Sequence, residues 1–158
     1  AALEAELDPA YIDRVRRLAG AARAGEQLRC ARHGDLTLWN VTLAGNALGI
    51  IDWEGAAPTA LPLTDLPYLV VDAVAAEGGY GDRVDAYRAC FAREGSRREW
   101  AGQLVRQTAA TAGVGVDGLE LSAHACWLGH AADERRRGVV DGPFLRILHM
   151  HTQTQVAR

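Results

Sequence analysis

The chain has 158 residues, a formal net charge of −3 and 49% hydrophobic residues, enough to bury about two-thirds of its unfolded surface as one domain. Its mildly acidic balance, with all 17 basic residues arginine, leaves no case for nucleic-acid binding. No run reaches the roughly 18 apolar residues of a membrane span, since Asp72 interrupts Leu69 to Ala76, and Ala1 to Leu7 is too acidic for a signal peptide. Cys30, Cys90 and Cys126 are odd in number and widely spaced, which fits buried thiols in a reducing cytoplasm.

In chain order, Asp8-Pro9 is a helix start, with proline at the first helical position. Ile12, Val15, Leu18, Ala19 and Ala22 then share one face. A short strand is expected near Leu28-Arg29-Cys30. Val41-Thr42-Leu43 and Leu48-Gly49-Ile50-Ile51 read as two strands about the turn Ala44-Gly45-Asn46-Ala47, where Gly and Asn tolerate positive φ. A helix follows from about Asp65, its expected cap, to Glu77, with Leu66, Leu69, Val70, Ala73 and Val74 inward. Gly78-Gly79-Tyr80-Gly81 ends it, and Asp82 caps a helix carrying Val84, Tyr87, Cys90 and Phe91. Ser96-Arg97-Arg98-Glu99 is a capping box for a helix with Trp100, Leu104 and Val105. Asp117-Gly118-Leu119-Glu120 starts another, to about Arg136. Asp141-Gly142-Pro143 opens the last, where Phe144, Ile147, Leu148 and His151 fall on one face. The expected class is mainly α with a small β-hairpin (α+β): a single domain over 1–158, divided into 1–32, the hairpin segment 33–54 and a helical part 55–158.

The most informative segment is His33-Gly34-Asp35-Leu36-Thr37-Leu38-Trp39-Asn40, followed by Ile50-Ile51-Asp52-Trp53-Glu54. Asn40 lies five residues after Asp35, and Asp52 lies 12 after Asn40. The hairpin between them would return Asp52 beside Asp35 and Asn40. This set suits phosphoryl transfer, which needs positioning and charge neutralisation more than covalent help. Asp35 can orient a hydroxyl and accept its proton. Asn40 and Asp52 offer the hard oxygen ligands magnesium prefers. His33 props the loop rather than reacts, and Gly34 permits a tight backbone. Glu54 reads equally as a metal or substrate ligand or as a loop hydrogen bonder. Trp39 and Trp53 bracket the segment, either as anchors of the loop in the core, the preferred reading, or as stacking surfaces for a cationic or sugar substrate.

This double motif resembles the aminoglycoside phosphotransferase and choline kinase superfamily, a branch of the protein-kinase-like fold. The family pattern is H-G-D-x-x-x-x-N, a hairpin, then I-D-W/F-x, and Pro62-Leu63-Thr64-Asp65-Leu66 is similar to the loop that starts its next helix. The resemblance implies a C-terminal kinase lobe, Asp35 as catalytic base, Asn40 and Asp52 as metal ligands, magnesium and ATP (or GTP) as cosubstrates, and a small hydroxyl-bearing acceptor: an aminoglycoside, sugar or amino alcohol. The family's N-terminal lobe carries a Lys that grips the α/β-phosphates. This chain has no lysine, and 32 residues before His33 are too few for that lobe. The expectation is therefore a C-lobe, incomplete and inactive alone, whose partner lobe lies in the same gene product or in another chain. The alternative is a non-catalytic kinase-like binding or assembly module. Arg135, Arg136, Arg137, Arg146 and His149 do not suggest a pocket for a polycation.

Other patterns carry less. Gly113-Val114-Gly115-Val116-Asp117-Gly118 matches G-x-G-x-x-G, but no strand pattern precedes it, so it reads as a helix–helix connection. His124, Cys126 and His130 lack the spacing of a zinc site.

Overall fold

A computed structural model describes residues 3–24 and 29–156. Helix α1 (Pro9–Ala24) starts where the Asp8 carboxylate accepts the Ala10 N–H at 2.7 Å. Strand β1 (Cys30–Arg32) lies slightly later than expected, and Leu28 falls outside the described residues. The hairpin is β2 (Val41–Ala44) and β3 (Ala47–Ile50), in the register Val41↔Ile50 to Ala44↔Ala47. Its turn tightens to Gly45-Asn46, and of these two only Gly45 takes positive φ, 62°, as the first position of a two-residue hairpin turn allows. Strand β4 (Ala57–Ala60) returns antiparallel to β1. The two small sheets thus frame residues 33–56. Helices α2 (Leu66–Glu77), α3 (Arg83–Phe91), α4 (Arg98–Thr111), α5 (Val116–Arg136) and α6 (Pro143–Val156) follow. The fold is mainly helical with small antiparallel strand pairs.

One apolar cluster joins the helices through Tyr68, Val71, Val84, Tyr87, Trp127, Ile147 and Leu148. The face of α2 differs from the periodic expectation. Tyr68, Val70, Val71, Asp72 and Ala75 are buried, whereas Leu69 and Ala73 are only partly so. The helix contacts α3, α4, α5 and the turn at residues 38–40, so its buried arc is wider than one amphipathic stripe and rotated from it. Asp82 caps α3 as expected, accepting the Val84 N–H at 2.8 Å.

Two expected starts differ. Arg97 occupies the N-cap of α4 with no side-chain cap bond, since a guanidinium has no acceptor to offer; its N–H donates to the Ala89 carbonyl at 2.9 Å. The Ser96 capping box does not form, and Trp100 is exposed while Ala101 takes the inner position. Gly115, not Asp117, is the N-cap of α5; Asp117 sits in its first turn, where a carboxylate suits the helix dipole. The glycine stretch before it connects α4 and α5, with Gly113 at φ 68°. The first turn of α6 is satisfied from a distance: Glu134 of α5 accepts the Leu145 N–H at 2.8 Å. Among the described residues no helix is long and apolar enough to cross a membrane.

Candidate active site

The segment from His33 to Trp53 closes on itself through a short series of hydrogen bonds. The His33 ring donates from Nε2 to the Ile51 carbonyl at 2.8 Å, and its Nδ1 then accepts the Asp35 N–H at 3.3 Å. Ile51 donates its N–H to the Asn40 carbonyl at 2.9 Å, carrying the ladder one residue past the hairpin strands. Asn40 donates from Nδ2 to the Asp35 carbonyl at 2.8 Å. His33, Asp35, Asn40 and Ile51 therefore form one connected unit, with Asp52 the next residue along.

The backbone of this unit is shaped by two special positions. Gly34 has φ 91°, and a Cβ there would meet the Gly55 carbonyl oxygen at 2.8 Å, so the position excludes any side chain. Asp52 takes φ 65° and ψ 57° without being glycine. Such left-handed backbone costs on the order of 1–3 kcal/mol and clusters at functional sites. Trp53 fixes the turn after it: its indole N–H donates to the Ile50 carbonyl at 2.9 Å, and its ring lies 4.8 Å from His33.

Two carboxylates from α2 hold the loop from behind. Asp65 was expected to cap its own helix. It stands at the N-cap but makes no capping bond; instead it accepts the N–H groups of His33 and Gly34 at 2.7 and 3.0 Å. Its two carboxylate oxygens are thus spent on the loop, one on each N–H. Asp72, 0% exposed, accepts the Leu38 N–H at 2.8 Å and faces Arg83 at 3.5 Å. Arg83 in turn lies over the rings of Tyr68 and Phe144. Sequence reasoning missed both braces. The signal was there: Asp65 and Asp72 are seven residues apart, two helical turns on one face, and an Asp inside an apolar helix needs a buried donor.

With the backbone so occupied, the acidic side chains face outward. Asp35, Asp52 and Glu54 are exposed, while Asn40 and His33 are buried. No hydrogen bond engages the carboxylates of Asp35, Asp52 or Glu54 among the described residues. Burial raises the phenol pKa of Tyr68, and the charges of Asp35 and Asp72 raise it further against Arg83. Asp35 thus lies within electrostatic reach of the Tyr68 hydroxyl. The preferred reading of Trp39 and Trp53 as core anchors is overturned, since the two residues are 72% and 48% exposed; the Trp39 ring rests 5.5 Å from that of Tyr80.

Residues 1–102 match the model of the phosphotransferase enzyme family. The match spans nearly two-thirds of the chain and contains the whole loop, the hairpin and both braces. The chain belongs to the phosphotransferase enzyme family. The resemblance drawn from the double motif therefore stands, and phosphotransferase activity in general follows from it. No curated protein and no solved structure matches the chain. Among the described residues no group of three or more His, Cys, Asp or Glu side chains could hold a metal by itself. A phosphotransferase magnesium site is of another kind: one or two carboxylates complete their shell with amide, water and phosphate oxygens.

Proposed function

We propose that this phosphotransferase family member carries the catalytic lobe of an ATP-dependent O-phosphotransferase, with a small hydroxyl-bearing molecule as acceptor. The observation that carries the proposal is the closed hydrogen-bonded unit of His33, Asp35, Asn40 and Ile51. It commits backbone and imidazole to structure and leaves the carboxylates of Asp35 and Asp52 unengaged. Asp35 orients the acceptor hydroxyl and takes its proton as the bond to phosphorus forms. His33, bonded at both ring nitrogens, positions the loop and takes no proton.

The donor set fits magnesium. Asn40 has committed its amide nitrogen to the Asp35 carbonyl, so its amide oxygen remains for a cation, and Asp52 supplies a carboxylate held by a left-handed backbone. Asn40 and Asp52 would hold the ion, with Glu54 beside them. When bound, magnesium neutralises phosphate charge.

The helices and hairpin form, in this reading, a protein-kinase-like C-terminal lobe, one domain over 1–158 acting in the cytoplasm. With no lysine in the chain, the group that grips the α/β-phosphates comes from a second lobe, in the same gene product or in a partner. The exposed Leu43 (76%) and Leu48 (64%) of the hairpin support a covering lobe on that side. A second reading, a non-catalytic kinase-like module, rests on the same missing lysine. Transfer of labelled phosphate from ATP to a panel of sugars and amino alcohols separates the two. The natural gene product is expected to transfer and to lose transfer in Asp35→Ala; no transfer to any acceptor, with nucleotide bound, favours the module.

A further inference from the structure

Trp39 and Tyr80 stand apart from the machinery described so far. Trp39 is the most exposed of the four tryptophans, at 72%, against 1% for Trp127. It directly precedes buried Asn40. The turn that carries it is held firmly on both sides: Leu38 N–H to Asp72 at 2.8 Å, and Asn40 N–H to the Thr37 carbonyl at 3.1 Å. A largely exposed indole is here fixed to a rigid turn on the loop bearing Asp35.

Among the described residues the one ring partner of Trp39 is Tyr80. Tyr80 has φ 57°, a left-handed backbone that bulky residues rarely adopt. Its N–H donates to the Ala75 carbonyl at 2.7 Å, which locks the loop after α2. The two rings lie 5.5 Å apart at 31°, an aromatic surface built from two separate segments. The hollow beside Tyr80 is lined by Asp82, Arg83 and Arg146. Asp82 is committed to the start of α3, Arg83 faces Asp72 at 3.5 Å, and Arg146 approaches Asp141 at 4.0 Å. Two guanidinium groups thus line the hollow on the Tyr80 side of the aromatic pair, where they disfavour a polycation and offer donors to hydroxyl or carboxylate oxygens.

We propose that Trp39 and Tyr80 are the acceptor-binding surface, on which the apolar face of a neutral or acidic hydroxylated ring, a sugar or cyclitol, lies while Arg83 and Arg146 take its oxygens. The proposal rests on the phosphotransfer reading for the role of Asp35, and it names the acceptor class that reading leaves open. An indole face suits the C–H face of such a ring, and a rigid platform lowers the ordering cost of binding.

The test uses the natural gene product with glucose, glucuronate, myo-inositol and, as a polycationic sugar, kanamycin. Binding is followed by calorimetry and tryptophan fluorescence without nucleotide, and transfer from ATP is measured separately. At least one of the first three should bind more tightly than kanamycin. Trp39→Ala should weaken its binding at least about tenfold, a change of the size expected for one lost stacking contact, and should raise KM with little change in kcat. Trp39→Phe should restore most of the affinity. Trp39-dependent binding without any phosphate transfer would sink the phosphotransfer reading and leave the platform standing. Transfer with unchanged KM in both Trp39→Ala and Tyr80→Ala would sink the platform and leave phosphotransfer standing. Binding of none of the three, or tighter binding of kanamycin, overturns the proposal.

Discussion

Two histidine-centred networks occupy opposite kinds of environment in this chain. At the loop, His33 bonds backbone groups, Ile51 carbonyl and Asp35 N–H, beside exposed carboxylates. Within the helices, His124 of α5 bonds side chains: the Tyr11 hydroxyl of α1 at 3.1 Å, His151 of α6 at 3.0 Å and Glu120 at 3.4 Å. Tyr87 of α3 reaches His151 at 3.3 Å, and Arg14 pairs with Glu120. One network shapes a stretch of main chain and leaves acidic groups to solvent. The other ties four helices together and meets solvent only at its Arg14–Glu120 end. The lesson is that a polar residue in a fold like this one organises either the chain or the packing, and its partners tell which.

The sharpest way to break this contrast is at Asp65. Asp65→Ala strands two backbone N–H groups, at roughly 1–3 kcal/mol each. A melting temperature lower by about 5–15 °C should follow, with activity lost as the loop slackens. Calorimetry of the variant checks the first, and wild-type stability would contradict the bracing role.

Acid should strike two histidines of α5: buried His124 in the network, and half-buried His130 outside it, packed against the rings of Tyr68 and Phe144. Burial, first of all, holds His124 below its ordinary pKa of 6.5. Burial, then the charges of Arg32, Arg83 and Arg137, holds His130 down at about 4. Both groups bind protons more readily in the unfolded chain. Their contribution is therefore complete above pH 6.5 and is lost as pH falls from there towards 4, by about 3 kcal/mol for His130. Denaturant midpoints across that range measure it. His130→Gln should flatten the curve, and an unchanged slope would remove His130 from the account. Glu120, held below its usual value chiefly by the Arg14 hydrogen bond, adds a further loss at lower pH.

The smallest effects come from one bond of the buried network and, smaller still, one exposed side chain of the hairpin. Tyr87→Phe removes one hydrogen bond and should lower stability by about 1 kcal/mol. At the exposed hairpin, Leu43→Ala should change stability by less than about 0.5 kcal/mol. Equal losses at the two positions would erase the distinction between core and loop.

Much of the site was legible in the sequence because its signals are local. The turn Gly45-Asn46 and its flanking strands, the spacing of Asp35, Asn40 and Asp52, and the caps at Asp8 and Asp82 all depend on neighbours a few residues away. What was illegible depends on distant partners. Asp65 looked like a cap because caps are local, yet its donors lie 32 and 31 residues back. Tyr11 meets His124 across 113 positions, a pairing no periodicity reveals. Ser96 had the residues of a capping box, but the helix starts one residue later, with Arg97 at the N-cap. Trp39 looked like core by composition, and only the packing of its turn leaves it in water.

The central claim is that Asp35 and Asp52 do different work in one phosphotransfer site. A magnesium titration of the natural gene product at saturating acceptor, repeated for Asp35→Asn and Asp52→Asn, addresses it directly. Asp35→Asn should lower kcat about 10²–10⁴-fold, the loss of a general base, at unchanged magnesium dependence and nucleotide affinity. Asp52→Asn should shift the magnesium requirement upward and weaken nucleotide binding, having lost a hard anionic ligand. Turnover of Asp35→Asn within about threefold of wild type, far less than a lost base, or an unmoved magnesium curve for Asp52→Asn, would contradict it.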